Sequence, residues 1–328
     1  MDGAAIAMLR LNIDFSVLFV SDTHKKCHKL LERHEPKHIY TDIMDVPIND
    51  KPYVDVYVFT PPCQDFSANG KQSGADGPRQ TGELMGKALR YTREKKPRLV
   101  LFENAFALTH VKFRPVFRGL IKHILESGYA VYDKVINANT CGFPQDRRRL
   151  IIVAIRNDSI KCKFQWPEAR KAVSLKTIMD SKTQQDVPGR LPKNAMGKKR
   201  CAKAYSECHQ NGIDPRTTPV AVDIDAGEKF QVYGVDECKT ITRVRGGCGG
   251  PWISTHGRRF TTRELLKAQG FAPTDVPYEE LKITPRQVGM MVGNSLSPNM
   301  AGCVLQEALW SAGLTKEKPQ FPIMSHCA

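Results

Sequence analysis

Five short apolar runs, rich in β-branched and aromatic residues, recur along the first half of the chain at 15–20, 54–59, 97–102, 129–135 and 149–155. Each suits a strand and is bounded by turn formers. Polar segments with helical spacing lie between several of them, at 23–34, 83–94 and 115–127. Such alternation predicts an α/β fold with a doubly wound, mostly parallel sheet and helices on both faces. Open sheets of this kind bind ligands beyond the C-terminal ends of their strands. Those ends are therefore where chemistry is expected.

The end of the run 54–59 is the most informative. It is followed by Thr60, Pro61, Pro62, Cys63, Gln64, Asp65, Phe66 and Ser67. The prolines stop the strand and stiffen the turn, so Cys63 is held at a strand's C-terminal edge. Most cysteines are small buried hydrophobes; one held here is a candidate nucleophile. Other strand ends carry Asp22, Asp42, the pair Glu103 and Asn104, and the run Arg147, Arg148 and Arg149. Asp22, closing an early strand, is placed to bond a ribose hydroxyl. A thiolate, a carboxyl that donates a proton and arginines that hold both suit attack on an electron-poor heterocycle. An arginine there is expected to lower the thiol pKa. The glycine-rich stretch 69–77 has the backbone freedom of a segment that closes over a substrate.

The net charge is +15, from 49 Lys and Arg against 34 Asp and Glu. That excess favours a polyanion such as nucleic acid. Ten cysteines lie scattered without a CxxC pair, the pattern of a reduced intracellular protein. Cys201, Cys208, His209, Cys238 and Cys248 lack regular ligand spacing, so no metal is expected. No apolar run reaches the roughly 18 residues of a membrane span. The first residues lack the basic start and long apolar stretch of a signal peptide. The expected location is intracellular, in the nucleus of a eukaryote or the cytoplasm of a bacterium. Beyond 157 the character changes: basic residues cluster at Lys193, Lys198, Lys199, Arg200 and Lys203, and periodicity weakens. Domains are expected at 1–156, 157–257 and 258–314, the last returning to the first, with a flexible tail at 315–328. Residues 245–250 read as a second flexible glycine loop, Thr261 and Glu264 form a capping box for a helix to Gln269, residues 293–298 read as a turn, and Pro298 opens a final helix.

Five stretches, in order, resemble the motifs of DNA cytosine-5 methyltransferases. Residues 61–67 match the family's nucleophile motif. Glu103, Asn104 and Ala105 match Glu-Asn-Val, with Ala for Val. Gln145, Arg147 and Arg149 fit Gln-x-Arg-x-Arg. Residues 258–264 with Gln269, Gly270 and Phe271 fit the motif that packs the two domains, and 293–298 the one that returns to the cofactor. The resemblance implies a class I S-adenosylmethionine-dependent, Rossmann-like catalytic domain with a smaller basic target-recognition domain at 157–257. It implies a monomer that acts on double-stranded DNA, with no membrane partner. It implies that Cys63 attacks C6 of a flipped-out cytosine, Glu103 bonds N3 and the exocyclic amine, and Arg147 and Arg149 position both. It assigns the cofactor to Asp22, Thr23, Asp42, Ile43, Pro62, Leu84, Asn294 and Ser295. It assigns DNA contacts to Gln64, Ser67, Thr240, Arg243 and Arg245.

The chain departs from the family at its start. The first motif, a strand followed by a glycine turn, should precede the first helix, and only Gly3 stands where it would end. In the family that strand is central, so two unpaired sheet edges are expected. Three explanations stand open: truncation of an active enzyme, a second chain that supplies the strand, or a silent DNA-binding copy. A tRNA cytosine-5 methyltransferase of the same fold is the alternative enzyme.

Overall fold

The computed structural model describes residues 1–63, 65, 66, 74, 81–227 and 232–322. The first half alternates as its apolar runs require. The order is α1 (Gly3–Arg10), β1 (Phe19–Ser21), α2 (Lys25–Leu31), β2 (His38–Tyr40), β3 (Val56–Phe59) and α3 (Thr81–Lys95). Then come β4 (Leu99–Ala105), α4 (Arg114–Glu126), β5 (Tyr129–Asn137), β6 (Gln145–Asp146) and β7 (Arg148–Arg156). β1 pairs with β2 in parallel. A second sheet has the order β3-β4-β7-β5. In it β3 and β4 are parallel, whereas β7 is antiparallel to both β4 and β5. The reversal has a local cause: the link 138–147 is too short for a crossover helix.

β1 and β3 share no ladder, so each keeps an unpaired edge among the described residues. These are the two edges expected of a sheet without its first-motif strand. Side chains bridge them: the Phe19 ring centroid lies 6.2 Å from that of Tyr57 and 5.6 Å from that of Tyr91.

Helices cover both faces of the larger sheet, and every residue of β4 is buried. On one face Met8 of α1 and Leu11 just after it pack with Leu101, Ile151 and Val153. The helix α9 (Pro298–Ser311) adds Val304 and Leu305 there. On the other face Met85, Tyr91, Leu120 and Ile124 of α3 and α4 meet Val100, Phe102 and Ile152. The period of two along β4 and β7 divides these sets.

The second half contains α5 (Ala195–Gln210), β8 (Val220–Val222), β9 (Tyr233–Val235), β10 (Cys238–Lys239), α6 (Arg243–Gly247), β11 (Trp252–Ile253) and β12 (Arg258–Arg259). α7 (Thr262–Gln269) and α8 (Pro285–Asn294) precede α9. An antiparallel sheet of order β12-β11-β8-β9 receives the buried face of α5, with Cys201, Ala204 and Cys208 against Val220 and Val222. Thr261 and Glu264 close the expected capping box. Three expectations need correction. Gly293 and Asn294 end helix α8 rather than forming a turn. The glycine run after Arg245 is not an open loop, because α6 forms there and crosses α8 with Gly246 on Gly289. A Cβ on either glycine would lie within 2.0 Å of the other's carbonyl oxygen. The tail is anchored as far as Phe321, which is buried on Gly302 and donates its N–H to Gln306 Oε1 over 2.9 Å.

Gly289→Ala should therefore destabilise the chain by about 1–3 kcal/mol in urea unfolding, since overpacked contacts force backbone shifts. Gly86→Ala and Gly119→Ala, where an added Cβ meets nothing within 4 Å, should be neutral or stabilising. Equal effects at all three positions would contradict this packing.

Candidate active site

The antiparallel register of β4 and β7 builds the centre of the site. Ala105 lies opposite Arg149 and Glu103 opposite Ile151, so Glu103 and Arg149 are diagonal neighbours on one face. Arg149 Nε approaches Glu103 Oε1 to 2.9 Å, with the side chains 11% and 9% exposed. A pair this dry is held because each charge has the other; removing one partner strands the second.

β3 delivers the cysteine to the same edge, because it runs parallel to β4. Its turn is pinned from several sides. Asn104 Nδ2 donates to the Pro61 carbonyl over 3.4 Å. Phe66 N–H donates to the Cys63 carbonyl over 3.1 Å, and the Thr81 hydroxyl donates to the Asp65 carboxylate. Phe66 is fully buried, edge-on to Phe113 at 5.2 Å. Cys63 is half-buried within the fields of Arg149, Glu103 and Arg147. Desolvation pushes its thiol above the ordinary cysteine value; Arg149 and Arg147 pull it down and Glu103 pushes it up. The arginines do lower the thiol, as expected, but they oppose burial without overcoming it. Gln64, Ser67 and most of the stretch 69–77 lie outside the described residues.

Arg147, expected to position the target base and the catalytic side chains, sits among backbone carbonyls. It is buried, and its guanidinium donates to the carbonyls of Ile241 (3.1 Å), Gly293 (3.2 Å) and Ser295 (3.0 Å). It ties the active-site strand to the loops after β10 and α8, and reaches Cys63 and Glu103 only through its field. Thr240 is likewise committed: its hydroxyl donates to the Asp146 carbonyl over 2.8 Å. β10 pairs in parallel with β6, and Lys239 Nζ meets Asp146 Oδ2 at 3.1 Å. Arg245 Nε is paired with Asp223 Oδ2 at 2.9 Å, whereas Arg243 is exposed at the start of α6. The residues that sequence reasoning left without a role are Asn104, Asp146 and Lys239. Asn104 and Asp146 adjoin the motif residues, which is the signal that finds them.

Asp22 and Asp42 follow the ends of the paired strands β1 and β2, and Pro62 follows the end of β3 in the other sheet. Asp22 and Asp42 each accept the backbone N–H two residues on, at 2.8 Å. Thr23, Pro62 and Asn294 are exposed; Ile43 and Leu84 are half-buried. Ser295 is buried and its hydroxyl donates to the Val292 carbonyl over 2.9 Å. Gly3, opening α1, presses on the Leu296 carbonyl, which brings the first helix to the same loop. Among the described residues no group of three His, Cys, Asp or Glu side chains is placed to hold a metal ion, and no helix is long and apolar enough to cross a membrane.

Residues 1–310 match the C-5 cytosine-specific DNA methylase family. The chain is 34% identical over 188 residues to the type II methyltransferase M.MthTI of Methanothermobacter thermautotrophicus, covering 57% of this chain and 54% of that one. It is 28% identical over 289 residues to M.NgoBI of Neisseria gonorrhoeae, covering 85% and 82%. Against M.MthTI and M.FnuDI of Fusobacterium nucleatum the match spans about half of the relative's length. Among solved structures, a putative DNA modification methyltransferase encoded within an E. coli prophage superposes with a TM-score of 0.65 at 14% identity, covering 95% of this chain and 97% of that one. The S. pombe Dnmt2 methyltransferase gives 0.63 at 17%, covering 94% and 95%. The order of strand ends, the half-buried cysteine and the Glu–Arg pair agree with these likenesses: the chain belongs to the C-5 cytosine-specific DNA methylase family.

Proposed function

We propose that the chain transfers a methyl group from S-adenosylmethionine to C5 of cytosine in double-stranded DNA. The observation that carries this reading is the convergence of Cys63 with the buried Glu103–Arg149 pair at one sheet edge. A flipped-out cytosine entering there meets sulfur on one side and a carboxyl on the other. The Cys63 sulfur forms a bond to C6 while the C5–C6 π pair shifts towards C5. Glu103, held by Arg149, accepts from the exocyclic amine and relays a proton taken up from water to N3 as the added ring gains charge. Loss of the C5 hydrogen as a proton later returns the pair to the ring and expels the thiolate. S-adenosylmethionine, when bound, supplies the methyl group that replaces that hydrogen.

The strand-end acids suit its adenosine half: Asp22 offers acceptors for ribose hydroxyls and Asp42 for an adenine amine, with Ile43, Pro62, Leu84 and Asn294 alongside. Residues 157–257 serve as the target-recognition domain, with Arg243 as the exposed basic residue nearest its junction with α8. The +15 net charge suits the phosphate backbone.

Duplex DNA bearing 5-fluorocytosine, incubated with the chain and S-adenosylmethionine, should give a complex that survives denaturing electrophoresis. Cys63→Ala should abolish it and Glu103→Gln should slow its formation by about 100-fold or more, the scale of general acid catalysis. An adduct with tRNA and none with duplex would redirect the substrate. No adduct with either would mark a silent copy.

The pH dependence has a definite sign. Burial raises the Cys63 thiol, so its thiolate fraction grows as pH rises past neutrality and through the ordinary cysteine range. Alkylation of Cys63 by iodoacetamide, followed by peptide mass spectrometry, should keep accelerating over that span. Arg149→Ala removes a positive neighbour and should shift the curve to higher pH; Glu103→Gln should shift it lower. A shift of either variant in the opposite direction would contradict the site's electrostatics.

A further inference from the structure

Arg148 is the arginine of its run that the pocket does not use. Along β7 successive side chains alternate, so with Arg149 facing Glu103, Arg148 emerges on the opposite face. There it is exposed, and its guanidinium lies 4.6 Å from the centroid of the Phe106 ring. Phe106 opens the turn directly after β4 and sets its ring against His110 at 5.5 Å and 68°. Among the described residues no carboxylate forms an ion pair with Arg148. Asp146, which feels its charge, is committed to Lys239 and Asn137.

Stacking occupies the faces of a guanidinium and leaves its in-plane N–H groups for acceptors. It also fixes the side chain before any ligand arrives, which lowers the entropy lost on binding. The position is as informative as the stack. Ala105 and Arg149 are opposite in the ladder, so Phe106 and Arg148 lie one residue beyond them, at the pocket's rim. The turn that follows carries the buried Phe113, against which Phe66 and Gly74 of the nucleophile loop are seated. A base extruded into the pocket brings its own flanking phosphates to such a rim.

We propose that Arg148, held over the Phe106 ring, binds a backbone phosphate of the strand that carries the extruded cytosine. The contact positions the strand and reads no sequence. It rests on the function proposed above, and the test separates the two.

Binding of fluorescent duplexes of unrelated sequence to the full chain is measured by anisotropy across a salt series. Arg148→Ala should weaken every duplex by a similar factor, roughly tenfold, and reduce the magnitude of the slope of log K against log salt by about 0.9. Arg148→Lys should keep the slope, and Phe106→Leu should weaken binding without changing it. An unchanged slope in Arg148→Ala overturns the contact, as does a loss confined to some sequences, which would assign Arg148 to a base. Arg148 is exposed, so circular dichroism melts of its variants should overlay the parent. A changed slope in a chain that forms no 5-fluorocytosine adduct upholds the contact and sinks the catalytic reading. An unchanged slope with adduct formation does the reverse. A parent chain that binds no duplex sinks both.

Discussion

A carboxylate and a guanidinium taken out of water together are what the site is built around. Glu103 and Arg149 meet at 2.9 Å with little solvent access. Desolvating two charges costs several kcal/mol per ion before their attraction and hydrogen bonds offset it. A fold selected for stability alone gains little from such a pair. Its geometry requires β4 and β7 to be antiparallel neighbours in one register, because a shift of one residue would send Glu103 to the opposite face. The register is held by the apolar layers on either side, Leu101 and Ile151 above and Phe102 and Ile152 below. Packing far from the chemistry thus fixes where the acid stands, and β3, parallel to β4, brings the sulfur to it.

A second constraint joins this centre to the basic half of the chain. β10 pairs with β6, Lys239 holds Asp146, and Arg147 fastens the carbonyls of Ile241, Gly293 and Ser295. The helices α6 and α8 cross at glycines, close enough that no side chain fits between them. Segments expected to recognise a target are therefore tied by hydrogen bonds to the start of β7, the strand that carries Arg149.

Much of this was legible in the chain. The apolar runs at 54–59, 97–102 and 149–155 located β3, β4 and β7, because buried strands in a covered sheet are continuously apolar. Proline after β3 and the acid after the core of β4 marked the chemistry. The direction of β7 was not legible, since an apolar run carries no sign of its orientation. The partners of Arg147 and Thr240 were not legible for a related reason: a motif names residues but not which backbone carbonyls will surround them. Helix α5 escaped notice because its polar face holds Lys198, Lys199 and Lys203 while its buried face uses only small residues and Tyr205. The glycine run after Arg245 suggested freedom, whereas its function is close approach to α8.

The central claim is that Cys63 adds to C6 while Glu103 supports the ring from the other side. Hydrogen exchange at C5 tests it without any methyl donor. Reversible addition makes C5 basic, so it takes a proton from water and releases the hydrogen it carried. Duplex DNA tritiated at cytosine C5 should lose its label to water in the presence of the chain. The release should vanish in Cys63→Ala and fall sharply in Glu103→Gln. Label retained by the parent chain, or released equally well by Cys63→Ala, would contradict the account.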